Sequence, residues 1–137
     1  MELRQYNKPY HTDHGIVYSC QYHVFFCPKY GRKVLTDALT VRMKQLLLAK
    51  QAEYSYTVIE MEVLSNHVHL LLDVDPRSGI NVVVGKIKGL ISRELRNEFL
   101  WLKKLLSTLW TRSKFISTGR AVTLDVVQQY IEQQKHV

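Results

Sequence analysis

Two long β-strand patterns separated by only two residues constrain this chain more than any other feature. Residues 56–64 (YTVIEMEVL) and 67–74 (HVHLLLDV) are rich in β-branched and aliphatic residues, and only Ser65 and Asn66 lie between them. A connection this short joins antiparallel strands, because a parallel pair needs a crossover of a dozen or more residues. The sequence therefore predicts an antiparallel β-hairpin in the middle of the chain.

The segments around this hairpin predict an α+β domain. In chain order they are a strand from Gly15 to Cys27, a helix from Thr36 or Asp37 to about Tyr54, the hairpin, a helix from Asn81 to about Phe99, an irregular stretch or short helix over 100–109, a short edge strand from Trp110 to Ser117, and a final helix from Thr123 to His136. This order predicts a ferredoxin-like (RRM-like) antiparallel sheet with helices on one face and a further C-terminal helix. No repeat or linker divides the chain, so residues 1–137 are expected to form a single domain.

The charge balance favours a polyanionic partner. The chain has 19 Lys and Arg against 12 Asp and Glu, which gives a net charge of +7 at neutral pH. A basic domain of this size attracts nucleic acid, although a merely soluble basic surface has the same composition. No apolar run approaches the roughly 18 residues that span a bilayer, and residues 1–10 have no apolar signal region, so we expect a cytoplasmic protein without membrane contact.

The sharpest local signal is a pair of histidines inside an apolar strand. His67 and His69 are two residues apart, so their side chains point to the same face with Cα atoms roughly 6.6 Å apart. Two imidazoles so placed can converge on one cation, whereas Val68, Leu70 and Leu72 point to the opposite face and favour burial there. The alternative is that both rings are ordinary polar residues on a solvated sheet face.

Oxygen ligands near such a pair would indicate a site for a divalent ion. Glu60 and Glu62 share a face of the neighbouring strand, so one of them could add a carboxylate, or both could simply face solvent. Mixed nitrogen and oxygen ligation is compatible with Mg²⁺ or Mn²⁺, and open coordination positions suit phosphoryl transfer because the ion withdraws developing charge from a phosphate.

The last helix has a second pair of polar side chains at a suggestive spacing. Gln134 follows Tyr130 by four residues, and positions four apart lie on one helical face. A tyrosine hydroxyl and an amide oxygen can thus be presented to the same point. Considered alone, Tyr130 is also compatible with a core aromatic residue and Gln134 with a surface residue.

Three segments together resemble a known family. They are Glu60 to Leu72 (EMEVLSNHVHLLL), Leu109 to Ser113 (LWTRS) and Gln129 to Gln134 (QYIEQQ). In their His-hydrophobic-His, Trp-x-x-Ser and Tyr-x-x-x-Gln patterns they are similar to the small single-tyrosine HUH transposases (TnpA type) of bacterial and archaeal insertion sequences. The start, from Tyr22-His23 through Pro28 to Lys33 (PKYGRK), resembles the start of the same family, so the resemblance covers nearly the whole chain.

The resemblance implies a transposase that cuts and rejoins single-stranded DNA at the ends of its element without ATP or another nucleotide cofactor. In that family a tyrosine, matched here by Tyr130, attacks a phosphodiester and forms a 5′-phosphotyrosine. His67 and His69 match the metal ligands, and Gln134 matches the helical glutamine that completes the site, with Mg²⁺ or Mn²⁺ as the expected ion. The family also implies recognition of DNA hairpins near the element ends and a homodimer that exchanges its final helix, for which 119–122 would be the hinge.

One pair of residues departs from the family pattern. The family often has Pro-Asp before the first histidine, where this chain has Ser65-Asn66. Asn66 keeps a carbonyl oxygen but not the negative charge, so a ligand or orienting role at that position is expected to be weaker.

Candidate phosphate contacts come from the basic residues of the second helix and the stretch after it, which are Lys86, Arg93, Arg96, Lys103, Lys104, Arg112 and Lys114.

Two other functions fit parts of this sequence. A non-catalytic RNA- or single-stranded-DNA-binding module would use an RRM-like sheet on which Tyr18, Tyr22 and Phe26 form a stacking platform. A domesticated nickase, or one related to replication initiators, would keep the tyrosine chemistry outside transposition. Loss of the Tyr130 hydroxyl distinguishes the first from an enzyme, and genomic context distinguishes the second.

Overall fold

The computed structural model describes residues 10–13, 15–118 and 122–137. The strands are β1 (His11–Asp13), β2 (Ile16–Tyr18), β3 (Gln21–Phe26), β4 (Tyr56–Leu64), β5 (His67–Val74) and β6 (Phe115–Thr118). The α-helices are α1 (Asp37–Ala49), α2 (Gln51–Tyr54), α3 (Ile80–Glu98), α4 (Leu100–Leu105) and α5 (Leu124–Gln133), with 3-10 turns at Lys29–Gly31 and Gln134–His136. None of the described helices is long and apolar enough to cross a membrane.

Four strands form one antiparallel sheet in the order β4-β5-β3-β6. The predicted hairpin is confirmed: β4 pairs with β5 from Leu64 opposite His67 to Tyr56 opposite Val74, with one irregularity between Val58 and Glu60. The α+β class and the antiparallel sheet are therefore as the sequence predicts. The short strands β1 and β2 pair only with each other and form a separate two-stranded sheet.

One face of the four-stranded sheet carries the main hydrophobic core. Val68, Leu70 and Leu72 alternate along β5, and none of them is exposed to solvent. They pack in one cluster with the apolar faces of the long helices, represented by Met43 of α1 and Ile91 of α3. We call this side of the sheet the helix face. The burial of strand and helix together is what stabilises both.

The opposite side, which we call the open face, is covered only in part. Phe25 and Cys27 are buried there in a second, small cluster with Tyr130 of α5. The helix begins as predicted, because the Thr123 side chain accepts a hydrogen bond from the amide of Val126. This arrangement brings the C-terminal helix onto the sheet face that carries the histidines.

The predicted strand from Gly15 to Cys27 is wrong in one respect, because it is interrupted after β2. The amide of Cys20 donates to the Oδ1 atom of Asp73 at 2.9 Å instead of to a strand carbonyl, whereas the Cys20 carbonyl still accepts from the amide of Val74 at 2.8 Å. Consequently β2 and β3 belong to different sheets.

The predicted edge strand from Trp110 to Ser117 is correctly placed but too long. Only Phe115–Thr118 pairs with β3, while Trp110 forms an isolated bridge with Pro28. The carbonyls of Thr111 and Ser113 accept from the Lys88 side chain instead of from a strand. At the C-terminus, the regular helix ends at Gln133 and a 3-10 turn replaces the last predicted residues.

Candidate active site

The histidine pair lies beside a pocket between the sheet and the last helix. His67 and His69 are half-buried on the open face of β5. The pocket measures about 450 Å³, and α5 forms its second wall. Its other lining residues are Phe25, Glu62, Leu64 and Asn66 from the sheet side and Val122, Leu124, Val127, Gln128 and Ile131 from the helix side. The two imidazoles therefore face an apolar cleft with a few polar groups.

Asn66 orients the first histidine. Its Oδ1 atom lies 3.1 Å from Nδ1 of His67. A carbonyl oxygen only accepts hydrogen bonds, so Nδ1 of His67 donates and Nε2 keeps its lone pair. The Asn66 amide thus fixes the orientation of the His67 ring, whereas a part for Asn66 in a metal site stays a prediction.

The second histidine is fixed by two residues of β3. The ring of His69 stacks on Phe25, with centroids 4.2 Å apart and planes 4° apart. On its other side Nε2 of His69 lies 3.0 Å from Nδ1 of His23, which is buried. His23 belongs to the Tyr22-His23 start that resembles the family, but the sequence indicates no role for it; its two-residue spacing from Phe25 places both side chains on the sheet face that carries His69.

Burial keeps this pair neutral. Desolvation lowers the pKa of both His67 and His69 below the ordinary value for histidine. The His69 ring lowers the pKa of His67 further, and the His23 ring does the same to His69. Glu62, which pairs directly with His69 across the hairpin, acts in the opposite direction on both pKa values. Neutral imidazoles are the form that binds cations, so the environment favours that state at neutral pH.

Tyr130 and Gln134 meet at a third residue. The Tyr130 hydroxyl lies 3.0 Å from Oγ of Ser113, and the same Oγ donates to Oε1 of Gln134 at 2.8 Å. Since the single Ser113 proton is directed at Gln134, the tyrosine hydroxyl is the donor in its own bond to Ser113. The spacing of four residues does bring both groups to one point, as predicted, and that point is the Ser113 hydroxyl.

The phenol is held in its protonated form. Burial raises the pKa of Tyr130 above the ordinary value for tyrosine, while hydrogen bonds with Ser113 and Thr111 act to lower it. Tyr130 and Gln134 are both buried. A buried neutral phenol is a weak nucleophile, and attack on a phosphate requires stabilisation of the phenolate by a nearby positive charge.

The two halves of the candidate site are adjacent but separate. Neither Tyr130 nor Gln134 lines the pocket that contains the histidines. In the described ranges, no three His, Cys, Asp or Glu side chains come together in a group that could hold a metal ion. The structure thus brings together His67 with His69, and Tyr130 with Gln134, on the same side of the sheet.

The predicted DNA-contacting residues differ in their exposure to solvent and in their contacts within the chain. Arg96 donates from Nε to the carbonyl of Leu106, and Lys86 lies over the ring of Tyr54, with Nζ 5.6 Å from its centroid. Lys114 is partly buried. The exposed members of the set are Lys86, Arg93, Lys103, Lys104 and Arg112.

The aromatic platform predicted for a binding module is wrong. Tyr18 belongs to the separate sheet of β1 and β2, whereas Phe26 is completely buried and packs edge-on against Trp110 in the core. Tyr22 packs against the same core. Because these three rings do not share an exposed face, they cannot form a stacking surface.

Comparison with known proteins places nearly the whole chain in one group. A family model described as "Transposase IS200 like" matches residues 16–134. The chain is 36% identical to the ISDra2 transposase TnpA of Deinococcus radiodurans over 122 residues. This match covers 88% of this chain and 87% of that protein. It is 29% identical over 120 residues to the transposase for insertion sequence element IS200 of Salmonella typhimurium, covering 85% and 78%.

Solved structures agree with these matches. A crystal structure from Deinococcus radiodurans R1 that was assigned to a transposase superimposes with a TM-score of 0.83 at 30% identity, covering 93% of this chain and 99% of that one. A REP-associated tyrosine transposase bound to a REP hairpin has a TM-score of 0.57 at 9% identity, covering 90% and 70%. The second likeness shows a shared fold.

Proposed function

Because the chain belongs to the family of IS200-like transposases, we propose that it cuts and rejoins single-stranded DNA through a covalent phosphotyrosine at Tyr130. The Tyr130 oxygen attacks the phosphorus of one phosphodiester and loses its proton, the bond to the 3′ oxygen breaks, and that leaving oxygen takes up one proton in exchange. The products are a 5′-phosphotyrosine and a free 3′-hydroxyl. That hydroxyl, or one from another strand end, later attacks the phosphotyrosine and restores both a phosphodiester and the phenol.

A single observation carries this proposal. The last helix lies against the same sheet face as the histidine pair and directs both Tyr130 and Gln134 to the Ser113 hydroxyl. A merely structural helix has no need for a buried phenol and a buried amide that share one hydroxyl. Such an arrangement keeps a nucleophile and a potential ligand together, which is what attack at a cation-bound phosphate requires.

The described residues fit a divalent ion in part. Nε2 of His67 keeps its lone pair, and His69 lies on the same pocket. We propose that these two imidazoles and the Oε1 atom of Gln134 hold Mg²⁺ or Mn²⁺, with Glu62 as a further oxygen on the pocket wall. When bound, such an ion withdraws charge from a phosphate and favours the phenolate. Asn66 supports the set from outside by orienting His67.

The DNA is proposed to be recognised largely through its backbone and its shape. The net charge of +7 and the exposed basic residues of α3 and α4 provide phosphate contacts that do not depend on sequence. A neighbour of similar fold was solved bound to a REP hairpin. By analogy, we propose that this chain binds hairpins close to the ends of its element.

A second copy of the chain is proposed to complete the site. Tyr130 does not line the histidine pocket of its own chain, so the reaction needs the two halves to be brought to one phosphate. Exchange of α5 between two copies would do this. Of the proposed hinge over 119–122, residues 119–121 lie outside the described residues.

The test is the formation of a covalent protein–DNA adduct. Single-stranded DNA from the regions flanking the gene, labelled at its 3′ end so that the label stays on the fragment joined to tyrosine, is incubated with the protein and Mg²⁺ or Mn²⁺ and run on a denaturing gel. We expect a slow band on one of the two strands that disappears with EDTA and in Tyr130→Phe. Duplex DNA and the complementary strand are the substrate controls.

Binding without chemistry would contradict the proposal. If the protein binds the flanking single strands tightly, forms no covalent band under any metal condition and is unaffected by Tyr130→Phe, it is a binding module. A band of equal intensity in Tyr130→Phe would assign the nucleophile to another residue.

A further inference from the structure

A lysine that the sequence analysis did not single out connects α3 to the tyrosine site. Lys88 lies two residues after the exposed Lys86, but it is turned inward and partly buried. Its Nζ donates to the carbonyl of Thr111 at 2.9 Å and to the carbonyl of Ser113 at 3.0 Å. Its own backbone carbonyl accepts from the indole of Trp110 at 3.0 Å. One residue thus makes three hydrogen bonds to the four-residue segment 110–113.

The environment of this ammonium group is unusual for a cation. Within the described part of the chain, no carboxylate pairs with Lys88, and Nζ lies 5.8 Å from the centroid of the Phe26 ring. Burial, helped by the nearby Lys114, lowers the pKa of Lys88 to about 8. A desolvated lysine without an acidic partner costs stability, so its retention needs another reason.

Segment 110–113 is anchored by backbone hydrogen bonds at its start, whereas at its end the Ser113 carbonyl accepts from the Lys88 side chain and, at 3.5 Å, from the Thr111 hydroxyl. Lys29 and Thr111 donate backbone hydrogen bonds to Leu109 and Cys27, at 2.7 and 2.9 Å, which ties the start of the segment to the end of β3. Ser113 lies in the irregular stretch before β6. The bond from Lys88 therefore fixes the backbone of the residue whose hydroxyl contacts both Tyr130 and Gln134.

We propose that Lys88 is a positioning residue for the tyrosine chemistry, acting through Ser113 to hold the Tyr130 hydroxyl and the Gln134 oxygen at one point. The chain of contacts runs from the Lys88 ammonium to the Ser113 carbonyl, and from the Ser113 hydroxyl to the two groups on α5. Lys88 touches neither DNA nor Tyr130 in this role. The expected effect of Lys88 on the reaction rate rests on the proposed function, whereas its expected effect on Tyr130 rests on the hydrogen-bond geometry alone.

The direct test observes Tyr130 without any DNA. 3-Fluorotyrosine is placed at position 130 and its ¹⁹F resonance is followed through a pH titration. When Tyr130 ionises, the Ser113 hydroxyl can turn its proton from Gln134 to the phenolate; in Ser113→Ala this donor is lost, so the resonance should shift and the phenol should titrate at higher pH. Lys88→Met, which keeps the aliphatic stem, should reproduce most of that shift, and Lys88→Arg should restore much of the original signal.

The second readout separates the chemical step from DNA binding. We expect Lys88→Met to slow adduct formation at saturating single-stranded DNA by roughly tenfold, with the Kd for DNA changed by less than about twofold. The double variant with Ser113→Ala should be no slower than the slower single variant, because both changes break one chain of contacts. Lys44→Met, an exposed lysine of α1 with the same substitution, is the matched control and should match wild type.

Several results would overturn the inference. An unmoved ¹⁹F resonance in Lys88→Met would leave Lys88 with a packing role only, and a weaker Kd at an unchanged rate would make it a DNA contact. Rate losses that multiply in the double variant would show that Lys88 acts independently of Ser113. If Lys88→Met does not fold, Lys88→Gln tests the same shift with a shorter neutral donor. Absence of an adduct in wild type contradicts the proposed function, whereas the ¹⁹F experiment still decides this inference.

Discussion

The two faces of the four-stranded sheet are built from the same strands but have different composition. On the helix face, alternate residues of β5 are apolar and completely buried against α1 and α3. On the open face, the positions between them are His67, His69, Leu71 and Asp73, and the buried cluster formed by the described residues consists of Phe25, Cys27 and Tyr130. The two faces of β5 therefore differ in role: the even-numbered residues pack in the core, whereas the odd-numbered residues include the histidine pair and Asp73, which accepts a hydrogen bond from the amide of Cys20.

Adjacent residues of β5 give the largest expected contrast. Leu70→Ala should lower the free energy of unfolding by roughly 2–5 kcal/mol, because it leaves a cavity in the main core. His69→Ala should cost about 1 kcal/mol, mostly through its lost stacking on Phe25, yet it should abolish Mn²⁺ binding. Urea denaturation and Mn²⁺ electron paramagnetic resonance measure the two effects. Similar losses of stability in both variants would erase the distinction between the faces.

Asn66 tests whether an amide is sufficient to orient His67. Asn66→Ala removes the acceptor from Nδ1 of His67, so we expect Mn²⁺ affinity to fall by about tenfold. Asn66→Asp keeps the geometry and adds a charge, and it should bind the ion more tightly than wild type. Isothermal titration of all three proteins measures the effect. Equal affinity in Asn66→Ala and wild type would mean that the hydrogen bond has no part in the site.

Ser113→Ala tests the second half of the open face. The substitution removes the shared partner of Tyr130 and Gln134, and we expect a loss of about 1 kcal/mol in the free energy of unfolding. Thermal unfolding followed by circular dichroism provides the measurement, with Ser92→Ala on α3 as a control of the same chemical change. A stabilised Ser113→Ala protein would show that the contact strains the fold.

The smallest expected effect is a dependence of stability on pH. Burial lowers the pKa values of His67 and His69, so the unfolded chain takes up protons at a higher pH than the folded chain. Stability should therefore decrease as the pH falls from 7.5 to 5.5. The variant His67→Gln/His69→Gln should lose less over that range in urea titrations. An identical pH dependence in both proteins would contradict the assigned pKa shifts.

Local pattern was sufficient for the elements that bury an apolar face. The hairpin, α3 and the helix that begins after Thr123 have strong periodicity or a clear cap, and each lies within a few residues of its predicted bounds. The first predicted helix begins as expected but is broken at Lys50, so that α1 ends at Ala49 and α2 covers the last predicted residues. The failures in the strands occur where a side chain replaces a backbone partner. Asp73 interrupts the strand at Cys20, and Lys88 keeps residues 111–113 out of the edge strand.

The same reasoning applies to the candidate site. Residue spacing along one element predicted that His67 and His69 share a face and that Tyr130 and Gln134 share another. His23 and Ser113 have no such signal, because their contacts join residues that are 46 and 17 or more positions apart in the chain. The Trp-x-x-Ser pattern marked Ser113 without indicating what it touches, and nothing in the sequence distinguished Lys88 from the exposed Lys86.

The most direct test of the account is to identify the residue that becomes linked to DNA. The adduct formed on single-stranded DNA is digested with nuclease and protease, and the nucleotide-bearing peptide is sequenced by mass spectrometry. A phosphotyrosine mechanism predicts one modified residue, Tyr130, on the peptide that comes from α5. Linkage at any other residue would contradict this mechanism. So would a Tyr130 peptide that carries no nucleotide although the protein has cut its DNA.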